Sequence, residues 1–112
     1  MNYKKIINFN NIEKVLNKYK IKNKKIVQCH GVFDLLHIGH LKHFETAKKQ
    51  GDILIVSITP DQYINKGFNR PFFKNQQRLE GLSSIADINY VVLNNSSTAV
   101  NIINKIKPNF FC

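Results

Sequence analysis

Ile26-Val27-Gln28-Cys29-His30-Gly31-Val32-Phe33-Asp34-Leu35-Leu36-His37-Ile38-Gly39-His40 is the stretch on which the reading of this chain turns. It opens as an apolar strand, Ile26 to Cys29, passes through a turn-like His30-Gly31-Val32-Phe33-Asp34, and enters a helix near His40. Leu41, Phe44 and Ala47 keep a helical spacing and are expected to face inward, and Lys48, Lys49, Gln50 and Gly51 mark the helix end. His37 and His40 are three residues apart, so they project from nearly the same side of the first helical turn. Gly39 removes a side chain where a ligand would approach the backbone. A helix N-terminus offers free N–H groups and partial positive charge, both suited to phosphate. Two imidazoles aimed at one point can hydrogen-bond phosphate oxygens and stabilise charge that develops during phosphoryl transfer. The plainer reading is a surface helix start with incidental histidines, or a zinc site. Zinc is disfavoured, because Cys29 is the one nearby thiol and the histidines lack third and fourth ligands at a metal spacing.

Outward from this stretch the pattern repeats as strand and helix. Upstream, Ile12, Val15, Leu16 and Tyr19 fall on one face of a helix expected over 11–20, with Asn10 or Asn11 as cap. Downstream, Ile53 to Ile58 is apolar at every position but Ser57 and largely β-branched, as in a strand buried on both faces. Pro60 starts a short helical or looped excursion, and 66–71 reads as a polar loop. A helix from about Asn75 places Leu79, Leu82 and Ala86 inward, and Tyr90-Val91-Val92-Leu93 forms a third strand. Ser96, Ser97 or Thr98 can cap a last helix with Ala99, Ile102, Ile103 and Ile106 on its stripe, ended at Pro108. Asn109-Phe110-Phe111-Cys112 opens a fourth strand, at which the sequence stops. Alternation of this kind implies right-handed crossovers and an α/β, doubly wound parallel sheet. Ligands of such sheets sit beyond the carboxyl ends of the strands, where His30 to His40 lies.

Composition narrows the classes without choosing among them. The 112 residues allow one domain, and 43% hydrophobic with 21% charged residues is globular composition. The formal charge of +10 first suggests a polyanion. Of the 17 cationic residues, however, only Arg70 and Arg78 are arginine, and lysine and asparagine are enriched together. That is a chain-wide bias, so the cluster Lys18, Lys20, Lys22, Lys24, Lys25 is read first as a solvated face and nucleic acid is not the expected partner. No apolar run is long enough for a bilayer, and Met1 to Ile7 holds no apolar core of a secretory signal. Cys29 and Cys112 form no CxxC pattern and no disulfide framework, so a reduced, cytoplasmic protein without membrane attachment is the expectation.

The segment Gly31 to His40 closely resembles the G-x-F-D-x-x-H-x-G-H signature of the cytidylyltransferase-like nucleotidyltransferases. Asn65-Lys66-Gly67, Arg70-Pro71 and Gln77-Arg78-Leu79-Glu80 resemble that family's later elements in order and spacing. Ala86 to Val92 is similar to its D-x-V-V strand, with Asn89 where aspartate is usual. The nearest type is the one that charges sugar phosphates, such as heptose 1-phosphate adenylyltransferase and glycerol-3-phosphate cytidylyltransferase. The resemblance implies transfer of a nucleoside monophosphate from ATP or CTP to a sugar or polyol phosphate, with release of pyrophosphate. It implies that His37, His40 and Lys66 are catalytic, and that Gly31, Val32, Phe33, Asp34 and Gly39 border the nucleotide. Arg70 and Arg78 would meet the acceptor phosphate, and Mg2+ would bridge phosphate oxygens with few protein ligands.

Each role has a competitor in the residues themselves. Asp34 reads equally as a turn cap and as a ligand, and Arg78 as an ion-pair partner of the helix that bears it. His43 reads as solvent-exposed, and His30 as the end of its strand. Val32 stands where some members carry a hydroxyl. The serine/threonine-rich turn that follows in the family is not reached before Cys112. The expected organisation is an N-terminal helix and lead-in over 1–24 and a nucleotidyltransferase domain over 25–112, incomplete at its C-terminus. A class I aminoacyl-tRNA synthetase is disfavoured, since no K-M-S-K-S-like segment follows. Two readings therefore stand: a transferase that dimerises or works beside a sugar kinase, and a non-catalytic nucleotide-binding or interaction module.

Overall fold

The computed structural model describes residues 2–64, 67 and 70–112. Five strands carry the fold: β1 (Ile6–Ile7), β2 (Ile26–Gly31), β3 (Ile53–Ile58), β4 (Tyr90–Leu93) and β5 (Phe110–Phe111). Four helices connect them: α1 (Ile12–Ile21), α2 (Ile38–Lys48), α3 (Asn75–Ser83) and α4 (Val100–Ile106). The strands form one parallel sheet in the order β1-β4-β3-β2-β5. An α/β, doubly wound parallel sheet is what the sequence predicts. The direction of winding reverses between β2 and β5, so the crevice for a ligand opens at the carboxyl end of β2.

The two faces of the sheet follow the alternation along the strands. Val27, Cys29, Leu54, Val56 and Ile58 pack with Phe44 and Ala47 of α2 and Leu79 and Leu82 of α3. Ile26, Ile53 and Ile55 point the other way, onto Ile12 and Leu16 of α1 and Ile102 and Ile106 of α4. Every residue of β3 is buried, which explains why its pattern is continuous instead of alternating. Burying one side chain such as Phe44 stabilises the fold by about 1.5–3 kcal/mol. Asn89, standing where aspartate was expected, accepts from the Lys48 ammonium (2.6 Å) and the Leu54 amide (2.8 Å), tying α2 to the start of β3.

Several expectations needed correction. Ile6–Ile7 form an edge strand paired with Val91–Val92, so the first 24 residues contribute β1 and α1 to the same sheet and core. A two-residue strand is too short to leave a periodic signal. The helix α2 starts at Ile38, and Leu41 is 40% exposed, because the first turn of α2 overhangs the end of the sheet. Ala86 lies beyond the end of α3 and is exposed; Ile85 and Ile88 do the packing instead. No hydroxyl caps α4, whose N-cap is Ala99, and Asn11 caps α1 without a side-chain bond. No helix of the described residues is long and apolar enough to cross a membrane.

Candidate functional site

At the carboxyl end of β2 the chain turns through Val32-Phe33-Asp34 into α2. Phe33 holds a φ of 48°, a left-handed conformation that costs a non-glycine residue about 1–3 kcal/mol. Packing holds it there. Its ring stands edge-on to His40 (centroids 5.6 Å apart) and Phe44 (5.2 Å) and folds back over Gly31. A Cβ at Gly31 would lie 2.9 Å from Phe33 Cζ, so glycine is required for that closure. Phe33 therefore shapes the turn from inside.

The two predicted histidines come together. His37 is the N-cap of α2, and its Nδ1 accepts from the Gly39 amide at 3.0 Å. The His37 amide in turn donates to His40 Nδ1 at 3.2 Å, and the two rings lie 4.1 Å apart. An Nδ1 that accepts from an amide carries no hydrogen, so each neutral ring keeps its proton on Nε2. Helix capping thus fixes both tautomers and leaves two N–H donors at the head of the helix. Burial, and then the neighbouring His37 and His43, hold His40 below the ordinary imidazole range, which keeps it neutral at pH 7. Gly39 serves a different end from the one expected: a Cβ there would lie 2.7 Å from His37 Cε1, so its missing side chain makes room for the imidazole.

Asp34 organises the loop that faces this turn. Its carboxylate accepts from the Phe72 amide (2.6 Å), the Phe73 amide (2.7 Å) and Arg70 Nη1 (3.3 Å). Burial opposes ionisation, but the two amides and the Arg70 guanidinium outweigh it and hold the carboxyl below its usual range. The cap reading of Asp34 is the one its bonds support, across 38 residues of sequence instead of within its own turn. Arg70 is exposed on this rim and keeps donors for a ligand.

For Arg78 the structure bears out the ion-pair reading over the phosphate one, with Asp61 as the partner. The arginine side chain is fully buried, with Nε on the Phe73 carbonyl (3.1 Å), Nη1 on the Val32 carbonyl (2.9 Å) and Nη2 on Asp61 (2.8 Å) and Asn75 (2.9 Å). Four acceptors occupy the fork, so the guanidinium fastens the turn and the loop to α3 and has no face to offer a phosphate. Asp61 was not singled out from the sequence. A carboxylate just past the end of β3, in a chain with seven acidic residues, was the available signal.

The other predicted residues separate. Val32 contributes its carbonyl to Arg78, and Lys66 lies outside the described residues. His30 turns to the α1/α4 side and bonds Ser57 Oγ at 2.7 Å, and burial lowers its pKa. His43 is exposed, as the sequence suggested, with its Nε2 3.6 Å from Cys29 Sγ; burial pushes that thiol up to about 12, so it is no nucleophile. Among the described residues no three histidine, cysteine or acidic side chains converge as metal ligands.

Comparison with known proteins places this geometry in context. Residues 28–112 match the family described as cytidylyltransferase-like. The bifunctional protein HldE of Geobacter metallireducens is 35% identical over 106 residues, which cover 93% of this chain and 22% of that protein. HldE of Aliarcobacter butzleri is 38% identical over 102 residues, 89% of this chain and 21% of the relative. The chain thus spans about a fifth of the length of these curated relatives. Among solved structures, a lipopolysaccharide core biosynthesis protein from Thermoplasma volcanium superposes with a TM-score of 0.72 at 29% identity, over 79% of this chain and 72% of that one. Pantoate-beta-alanine ligase from Francisella tularensis shares the fold, with a TM-score of 0.66 at 20% identity over 95% and 54%.

Proposed function

The chain belongs to the cytidylyltransferase-like family, and from that premise we propose that it transfers a nucleoside monophosphate from ATP or CTP to a sugar or polyol phosphate. An oxygen of the acceptor phosphate forms a new bond to the α-phosphorus. The bond from that phosphorus to the β-phosphate oxygen breaks, and its electron pair leaves with pyrophosphate. Such a reaction asks the protein for position and charge stabilisation more than for covalent chemistry.

The observation that carries this reading is the reciprocal cap that turns His37 and His40 into a pair of Nε2–H donors at the start of α2. Those donors and the positive end of the helix would meet the triphosphate and the charge that grows on it. A neutral imidazole can also take up a proton once an anion lies against it. Arg70 and Lys66 would supply cations to the acceptor and α-phosphates. The carboxylate nearest the turn, Asp34, is already held by three donors, and the described residues form no cage for Mg2+. In this reading the ion arrives as part of the nucleotide substrate. The relatives are named bifunctional and this stretch is about a fifth of their length, which supports a companion activity; a sugar kinase is the one proposed.

Pyrophosphate release tests the proposal, with ATP or CTP offered together with hexose, heptose and glycerol phosphates. The wild-type chain should turn over at least one pair, and His40→Ala should lower kcat/KM by about 100-fold, as loss of one preorganised donor does elsewhere. Release undiminished in His40→Ala would remove the imidazole pair from the mechanism.

A further inference from the structure

A cavity of about 540 Å³ opens between the turn after β2 and the exposed face of α3. Its volume falls within the range of about 300–1,000 Å³ typical of small-molecule sites. Phe33 and Leu36 line one side; Phe73, Gln77, Glu80 and Gly81 line the other. It adjoins the imidazole pair through Phe33, whose ring lies against His40.

The lining selects against a phosphate. Arg78 is its one basic residue among the described residues, and that charge is already matched by Asp61 at 2.8 Å. Two carboxylates, Asp34 and Glu80, border the same space. The polar groups left over suit hydroxyls. Glu80 Oε2 accepts from Gln76 at 3.0 Å, which leaves Oε1 as an acceptor. Gln77 Oε1 accepts from the Lys74 amide at 3.0 Å, which leaves its Nε2 as a donor. Gln77 and Glu80 are three apart on α3 and so share one face. Phe33, Phe73 and Leu36 offer apolar surface to C–H groups. Arg70, bonded to Asp34, stands beside the cavity as a cation with donors to spare.

We propose that this cavity takes the uncharged, hydroxyl-bearing carbon body of the acceptor, with Glu80 and Gln77 as its specificity-determining residues. The assignment deepens the transferase reading above and rests on it for the acceptor's phosphate. Bound in this way, the acceptor leaves its phosphate outside, directed to Arg70, His37 and His40.

Gly81 gives a clean test. A Cβ at this helical position meets no atom within 4 Å, and leucine is a better helix former than glycine, so Gly81→Leu fills the cavity without disturbing α3. Saturation-transfer NMR on the chain, with unphosphorylated pentoses, hexoses, heptoses and glycerol as probes, reads occupancy of the cavity directly. The wild-type chain should transfer saturation to at least one probe, and Gly81→Leu should abolish that signal while leaving ATP or CTP affinity unchanged. In the pyrophosphate assay Glu80→Gln should raise the acceptor KM about tenfold, the scale of one lost hydroxyl contact. No saturation transfer in the wild type, or an equal signal in Gly81→Leu, overturns the cavity assignment whatever the turnover. Saturation transfer that Gly81→Leu removes, with no pyrophosphate from any acceptor, overturns the transferase reading and leaves a polyol site.

Discussion

The chain's two arginines lie eight residues apart in sequence and do opposite things. Arg70 sits on the rim with a 40% exposed side chain and one carboxylate partner at 3.3 Å. Arg78 sits on the floor, fully buried, with four oxygen atoms around its fork. Both belong to motifs that suggested phosphate binding, and both have the same chemistry. What separates them is desolvation. A guanidinium taken out of water must have its donors satisfied by the protein, and once satisfied they are unavailable to a substrate. A rim guanidinium stays hydrated and can exchange water for phosphate oxygens.

Substitutions at three positions test this division between the buried and the rim arginine. Arg78→Met would leave Asp61 without its cation and the Val32 carbonyl without its donor. It should cost about 3–5 kcal/mol in urea unfolding, the scale of a broken buried pair. Arg78→Lys, which keeps the charge without the fork, should fall between that variant and wild type. Asp34→Asn comes next: its amide group must face either the Phe72 or the Phe73 N–H, a donor against a donor, at a cost of about 1–3 kcal/mol. The same variant has a pH signature. Because the folded Asp34 carboxyl titrates below its unfolded value, its contribution is present above the ordinary carboxylate range and is lost as pH falls through the lowered one. The acid limb of a Tm-against-pH curve should therefore flatten in Asp34→Asn. Arg70→Ala should have the smallest effect on folding, about 0–1 kcal/mol, and should raise the acceptor KM about tenfold. A folded Arg78→Met that altered only KM, or an unfolded Arg70→Ala, would reverse the two roles.

The turn between β2 and α2 was legible because its geometry is local. His37, Gly39 and His40 make their bonds within three residues, so their spacing alone put two imidazoles at one helix head. Even there the reason for glycine was hidden: the space at Gly39 is filled by the His37 ring, a contact that the spacing of the motif does not encode. Phe33 shows the same limit, since nothing in a G-x-F-D pattern says that the ring folds back over the glycine two residues before it.

Periodicity over six to eleven residues determined β2, β3, α2 and the parallel α/β arrangement, because strand and helix place side chains at fixed repeats whatever they later touch. It could not reach interactions whose two ends are far apart in the chain. β1 exists because Val91 and Val92 offer it an edge 85 residues away. Arg78 became a structural residue because Val32, 46 residues upstream, and Asp61, 17 upstream, converge on it. The cavity beside Phe33 is likewise the space left between a turn and a helix distant in sequence. Local pattern was thus enough for β2, β3, α2 and the histidine pair, whose defining contacts repeat within a few residues. Packing between distant segments set which charges are buried, and burial governs which of them remain able to meet a ligand.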